Sequence, residues 1–238
     1  NRVSGGGSGI AERKRRMKKQ FTEELKEAAG EIWSSYHNHP FVRALGDGTL
    51  PVEKFRFFMI QDYLYLFEYA RLFALGVAKS RGRKWMQMFS EMEHSTLNGE
   101  MNIHRSYMQR LGITEQELDA TEVSLANLSY TNYMLAVGYR GDALDILTAV
   151  LACAWSYQEI AGEMLRRNPL AADHELYGEW VRGYVSEEYR DIVKENLDGV
   201  NELAEGIPDE RKEYLKEVFV NCSRYEAGFW DMADQMAP

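Results

Sequence analysis

The stretch DALDILTAVLACAWSYQEIAGEMLRR, residues 142–167, is apolar on nearly every side of the helix it would form. A surface helix of a globular protein keeps one polar face, so a helix that is apolar all round is covered by other helices. Asp142 is a suitable N-cap, and Pro169 stands just beyond the end. The stretch therefore predicts an all-α helical bundle with a central apolar helix. It also carries Asp145, Glu159 and Glu163. Acids inside the span argue against a membrane role.

Outward from this centre, the flanking sequence yields more helices. Residues 21–36 are amphipathic and end before His39-Pro40, because the residue preceding proline is pushed out of the α region. Thr49 is the expected N-cap of a long helix reaching about Lys79, with Pro51 in its first turn. Further helices are expected over 84–111, from the capping box at Thr114-Glu115-Gln116-Glu117, and over 129–139, 171–183, 187–206 and 209–236. No segment alternates as a strand, and no repeat of 20 to 50 residues is visible.

The opening NRVSGGGSG has the composition of a flexible linker or expression remnant, followed by the basic run AERKRRMKKQ with Met17 as a candidate natural start. Residues 1–16 are accordingly assigned as a tail and 17–238 as a single all-α domain. The formal net charge is -9, and residues 1–19 hold seven of the 28 basic side chains. The remaining body is strongly acidic, which argues against a nucleic-acid surface. Cys153 and Cys222 are too few for a disulfide scaffold. With no secretory pattern at the start, a reducing, cytoplasmic setting is expected.

Several residues stand out chemically. Cys153 and Tyr157 lie one turn apart in the central stretch, where a thiol is either a small core residue or a nucleophile. Asp62, Tyr65 and Tyr69 recur on one face of an aromatic-rich helix, where an acid either faces water or needs a buried partner. Leu215, Phe219, Cys222, Phe229 and Ala233 form an apolar stripe whose missing step is Glu226. Tyr130, Tyr133 and Tyr184 add to a tyrosine content suited to holding a flat heteroaromatic ligand. Glu91-Met92-Glu93-His94 supplies half of a di-iron Glu-x-x-His pattern. Phosphate loops and Ser-based nucleophile elbows are absent, which leaves the thiol as the strongest nucleophile on offer.

Taken in order, these segments resemble the TenA family of thiaminase II or aminopyrimidine aminohydrolase proteins, which have the haem-oxygenase-like fold. The resemblance is carried by Phe55-x-x-Phe58-x-x-Gln61-Asp62-x-x-Tyr65-Leu66, Glu100-x-x-x-His104-x-x-Tyr107, Tyr130-Thr131-Asn132-Tyr133-Met134, and Cys153-x-Trp155-x-Tyr157-x-Glu159-Ile160. It continues through Glu179-Trp180-x-x-x-Tyr184-x-Ser186-Glu187-Glu188 and Tyr225-Glu226-x-x-Phe229-Trp230-Asp231-Met232-Ala233. Ala152 and Ala161 stand where the family commonly has Pro and Gly.

The resemblance implies a homotetramer without metal or organic cofactor. It would hydrolyse 4-amino-5-aminomethyl-2-methylpyrimidine to the hydroxymethyl pyrimidine and ammonia in thiamin salvage, with cleavage of thiamin as a related activity. Cys153 would be the nucleophile. Glu226 would be the acid/base that protonates a ring nitrogen and helps water to enter, and Asp62 would hold the substrate's amino group. Tyr65, Tyr130, Tyr157 and Tyr184 would stack on the ring or bind its edge. Two alternatives stand beside this: a metal-dependent oxidase using Glu91, His94 and His104, and a pyrimidine-binding bundle without catalysis.

Overall fold

A computed structural model describes residues 19–238, and every regular element among them is helical. The linker, Met17 and most of the basic run lie outside the described residues. The order is α1 (Phe21–Ala28), α2 (Gly30–Tyr36), α3 (Pro40–Asp47), α4 (Val52–Lys79), α5 (Arg83–Ser95), a π-helical turn (Thr96–Glu100), α6 (Met101–Leu111), α7 (Glu115–Ala120) and α8 (Leu125–Arg140). There follow α9 (Ala143–Arg167), a 3₁₀ turn (Ala171–Asp173), α10 (Gly178–Val185), α11 (Glu187–Leu203) and α12 (Asp209–Gln235).

The expected central helix is α9, which packs against α3, α4, α8, α10, α11 and α12. Every residue from Ala143 to Ala152 is buried. Each fully buried Leu or Ile there contributes about 1.5–3 kcal/mol of apolar burial. The Asp142 side chain accepts from the backbone N–H groups of Leu144 and Asp145, and the Asp145 side chain accepts from that of Asp142. The helix start is thereby fixed by a reciprocal cap. Deeper in, the buried Asp145 carboxylate takes two bonds from Arg211 of α12, at 2.5 and 2.7 Å, which tie α12 to the foot of α9.

The chain departs from the expected helices where proline and glycine act. The expected end at His39 holds, but Pro40 occupies the first turn of a further helix, α3, and the Nδ1 atom of the His39 ring accepts from the Phe41 N–H. Proline is pre-organised for that position, so the dipeptide that stops one helix begins the next. Gly48, at φ 75°, closes α3, and α4 then starts at Val52 with Pro51 at its N-cap instead of Thr49. The segment 21–36 divides at Ala29, and the helix expected from residue 129 already begins at Leu125.

The third segment keeps its length but not its regularity. Between α5 and α6 the backbone widens into the π turn, and the Thr96 hydroxyl donates to the Met92 carbonyl, four residues back. Such back-bonding competes with the helical ladder. The π turn, α5 and α6 all pack on α4. At the α4–α5 crossing a Cβ on Gly76 would stand 2.4 Å from the Phe89 ring, so only glycine allows this approach.

Candidate active site

A cavity of about 760 Å³ opens between α4, α5, α6, α9, α10, α11 and the π turn. That size lies within the range of small-molecule sites. A second hollow beside His37, Glu163 and Arg167, of about 10 Å³, is at the lower limit for one water.

Five of the seven site residues expected from sequence line the large cavity: Asp62, Tyr65, Cys153, Tyr157 and Tyr184. Helical phase explains the pairing of Cys153 with Tyr157, one turn apart where α9 passes from the sealed core to the cavity wall. Aromatic rings pack around them. Tyr157 lies 5.1 Å from Tyr184 and 5.4 Å from Trp230, and Tyr65 lies 5.5 Å from Tyr130.

Glu226 and Tyr130 lie one layer back. Both are buried, and the Tyr130 hydroxyl donates to Glu226 Oε1 at 2.8 Å. The Glu226 carboxyl also lies beside the Cys153 thiol, near enough for each to shift the ionisation of the other. The acid that interrupts the α12 stripe therefore stands directly against the thiol, not across the cavity from it. Among the described residues no cation pairs with it. Burial raises its pKa to about 8, despite the opposing effects of Tyr130 and Cys153, so the group changes charge close to neutrality. Burial and the nearby Glu226 charge also push the Cys153 thiol well up, opposed in part by the neighbouring Tyr65. Such a thiol needs a base in contact with it to become a nucleophile.

A second polar cluster occupies the α4–α6 side. Asp62 Oδ2 lies 2.6 Å from His104 Nε2, and His104 Nδ1 lies 3.0 Å from the Glu100 carbonyl oxygen. Both neighbours are acceptors, so both ring nitrogens donate and the imidazole is cationic. Burial alone would lower the His104 pKa, but Asp62 and Glu100 outweigh it and raise it. Asp62 is held by this bond in one orientation.

The Glu100 carboxyl belongs to this cluster too. Tyr184 donates to its Oε1 at 3.1 Å, and burial followed by the Asp62 charge raises its pKa to about 7. From sequence, Glu100 and His104 stand out only as members of one family motif, with His104 also a candidate metal ligand. Their four-residue spacing on one helical face was the available signal. Tyr69 and Tyr189 also line the cavity, and the Tyr189 hydroxyl donates to the Ala154 carbonyl at 2.8 Å.

The donors needed by the oxidase alternative do not converge. His104 is engaged by Asp62, while His94 is exposed and bonded to Asn98. Among the described residues no three His, Cys, Asp or Glu side chains are grouped so as to hold a metal ion. No helix among the described residues is long and apolar enough to cross a membrane.

Comparison with known proteins adds to this geometry. The model of the TENA/THI-4/PQQC family matches residues 26–236. A protein of Halalkalibacterium halodurans named aminopyrimidine aminohydrolase is 48% identical over 213 residues, which covers 90% of this chain and 95% of that one. Among solved structures, a TenA homologue from P. horikoshii OT3 superposes with a TM-score of 0.83 at 31% identity, covering 91% of this chain and 99% of that one. A Shewanella denitrificans domain described as having a heme oxygenase-like fold superposes with a TM-score of 0.74 at 16% identity, over 90% and 92% of the two chains. At that identity the likeness is one of fold alone.

Proposed function

The chain belongs to the TENA/THI-4/PQQC family, and from that premise we infer that it is an aminopyrimidine aminohydrolase of the thiaminase II type. It hydrolyses aminopyrimidines derived from thiamin, with 4-amino-5-aminomethyl-2-methylpyrimidine as the substrate to which we assign it. The single observation that carries a thiol-dependent mechanism is the contact of Cys153 with a buried, cation-free Glu226 at the wall of an aromatic cavity.

The chemistry follows from that contact. As the Cys153 sulfur bonds to the ring carbon beside the one bearing the aminomethyl group, its proton passes to the Glu226 carboxylate. Glu226 then delivers the proton to a ring nitrogen, which quenches the negative charge developing on the ring. Electrons returned by the ring expel ammonia from the exocyclic carbon. Water adds there, and loss of sulfur restores the aromatic ring and the thiol. A carboxyl that titrates near neutrality can both take and give this proton.

Asp62, fixed by His104, holds the substrate's amino group and sets the ring's orientation. Tyr65, Tyr157 and Tyr184 present faces and hydroxyls to the ring. Tyr130 acts one step removed, by holding Glu226. Burial keeps all four phenols protonated, so they serve as donors.

Ammonia release is the deciding assay, run on thiamin, the aminomethyl pyrimidine and its N-formyl derivative, with Cys153→Ser as control. Turnover by the wild type and a loss of at least ~10³-fold in the variant are expected. Full activity in Cys153→Ser would sink the thiol mechanism.

The chain is also assigned as one TenA-like domain that assembles as a homotetramer in the cytoplasm. A continuous core from Phe21 to Ala233 supports the first assignment. Exposed Val123, Leu125 and Leu128 at the start of α8, with Phe67 on α4, offer apolar surface for assembly. The two free cysteines fit a reducing compartment. Light scattering that returned the 27.5 kDa monomer mass would overturn the tetramer, and cell fractionation would test the location.

A further inference from the structure

Three carboxyls, Asp62, Glu100 and Glu226, stand at or just behind the cavity wall, and the mechanism above uses Glu226 for proton transfer and Asp62 for orientation. Glu100 has no part in it. One of its oxygens is held by Tyr184, and among the described residues the other, Oε2, carries no hydrogen bond. The side chain lines the cavity and keeps part of its surface open to it. Around it stand Asp62 and Tyr69 from α4, His104 from α6, Cys153 from α9, Tyr184 from α10 and Tyr189 from α11.

The order of groups on the substrate ring gives this free oxygen a use. On an aminopyrimidine, the carbon bearing the departing group lies between the carbon bearing the amino group and the carbon that sulfur attacks. If Asp62 holds the amino group and Cys153 meets the attacked carbon, the departing group must project from the wall between those two residues. Glu100 lines the cavity together with both: the His104 ring bonds Asp62 and the Glu100 carbonyl, and the Glu100 charge helps to raise the Cys153 thiol.

We propose that Glu100 holds the departing amine, pairing its carboxylate with the substrate's ammonium group and so selecting a cationic aminomethyl pyrimidine over neutral relatives. This rests on the aminohydrolase function assigned above. Burial and Asp62 oppose the Glu100 charge and raise its pKa to about 7, with His104 pulling the other way. An ammonium group at Oε2 adds to the counter-charge of His104 and favours the carboxylate. The cavity as a whole favours a cation. Glu91, Glu188 and Glu195 also line it, and the only Lys or Arg among its lining residues is Arg182.

The bonds balance. Once sulfur has added, ring electrons form a double bond to the exocyclic carbon. The carbon–nitrogen bond breaks, its pair stays with nitrogen, and the ammonium group leaves as neutral ammonia. Water then bonds to the exocyclic carbon and gives its proton to the Glu100 carboxylate. Glu100 passes that proton to ammonia, which departs as ammonium. Glu226 remains the carrier for the ring nitrogen, so each carboxyl serves one end of the reacting system.

Glu100→Gln separates charge from shape. For this variant the KM of the aminomethyl pyrimidine rises at least tenfold, while the Kd of the neutral hydroxymethyl pyrimidine, measured by calorimetry, stays within about twofold. Glu100→Asp recovers part of the KM loss. An unchanged KM, or an equal loss for the two compounds, would overturn the inference. Should Glu100→Gln fail to fold, the same question is put to Cys153→Ser, which must bind the aminomethyl compound at least tenfold more tightly than the hydroxymethyl one. Equal affinities would overturn the inference there as well. Absence of ammonia release from the wild type would instead defeat the parent function, and this inference with it.

Discussion

Asp145 and Glu226 are both fully enclosed carboxyls at the contact of α9 with α12, and their surroundings differ completely. Asp145, at the foot of α9, faces Arg211 and the capped N-terminus of its own helix. Burial alone would raise its pKa, but the bonds from Arg211 and Asp142 outweigh it and hold the group low, as a permanent anion. Glu226, in the middle of α12, meets a phenol and a thiol and no cation, and its pKa rises to about 8. One carboxyl is spent on joining two helices. The other is kept movable between charge states, which a proton carrier requires and a structural ion pair does not.

The comparison breaks most severely at Glu226. Glu226→Gln keeps the shape and the Tyr130 bond but cannot exchange a proton, so ammonia release should fall ~10²–10⁴-fold, as for the loss of a general acid–base. Circular dichroism should show an unchanged helical fold. Activity within tenfold of wild type would show that the proton travels by another route.

Removing Arg211 should have the opposite signature. Arg211→Met leaves Asp145 buried without its cation and should cost about 2–3 kcal/mol in urea unfolding, below the usual figure for a buried pair because the Arg211 side chain is 28% exposed. Turnover per folded molecule should stay near wild type. A large kcat loss with undiminished stability would reverse the roles assigned to the two carboxyls.

The third effect is one of pH. Glu226 has a folded pKa raised above its unfolded value, so its contribution to stability is fully present below about pH 4.5 and is lost as pH rises through about 8. Relative to wild type, Glu226→Gln should therefore gain stability between pH 5 and pH 9. The melting-temperature difference between the two proteins should shift by several degrees in favour of the variant over that range. A constant difference would mean that Glu226 is already charged in the folded protein.

Much of this was legible in the sequence because it depends on local rules. The apolar run 142–167 required a covered helix, its Asp142 cap was correctly placed, and the missing step at Glu226 marked an acid on a buried face. The limits of helices were less legible wherever one residue type has two uses. Pro40 both ends one helix and starts another, and Thr96 leaves the α-helical ladder in a segment whose composition is helical throughout. Glu100 was hidden for the same reason. An isolated acid in a polar helix looks solvated until the tertiary fold turns it inward.

By itself, then, the sequence determined the helical class, the central helix, the family and the residues whose side chains were out of place. Periodicity and capping act over one or two turns and are written along the chain. Tertiary structure alone decided that Glu226 touches Cys153, that Tyr130 stands behind the cavity wall, and that Glu100, His104 and Asp62 form one cluster. Glu226 with Cys153, Tyr130 with Glu226, and Asp62 with His104 each join helices far apart in sequence. Whether a carboxyl becomes an anchor or a proton carrier depends on which charges the other helices bring to it.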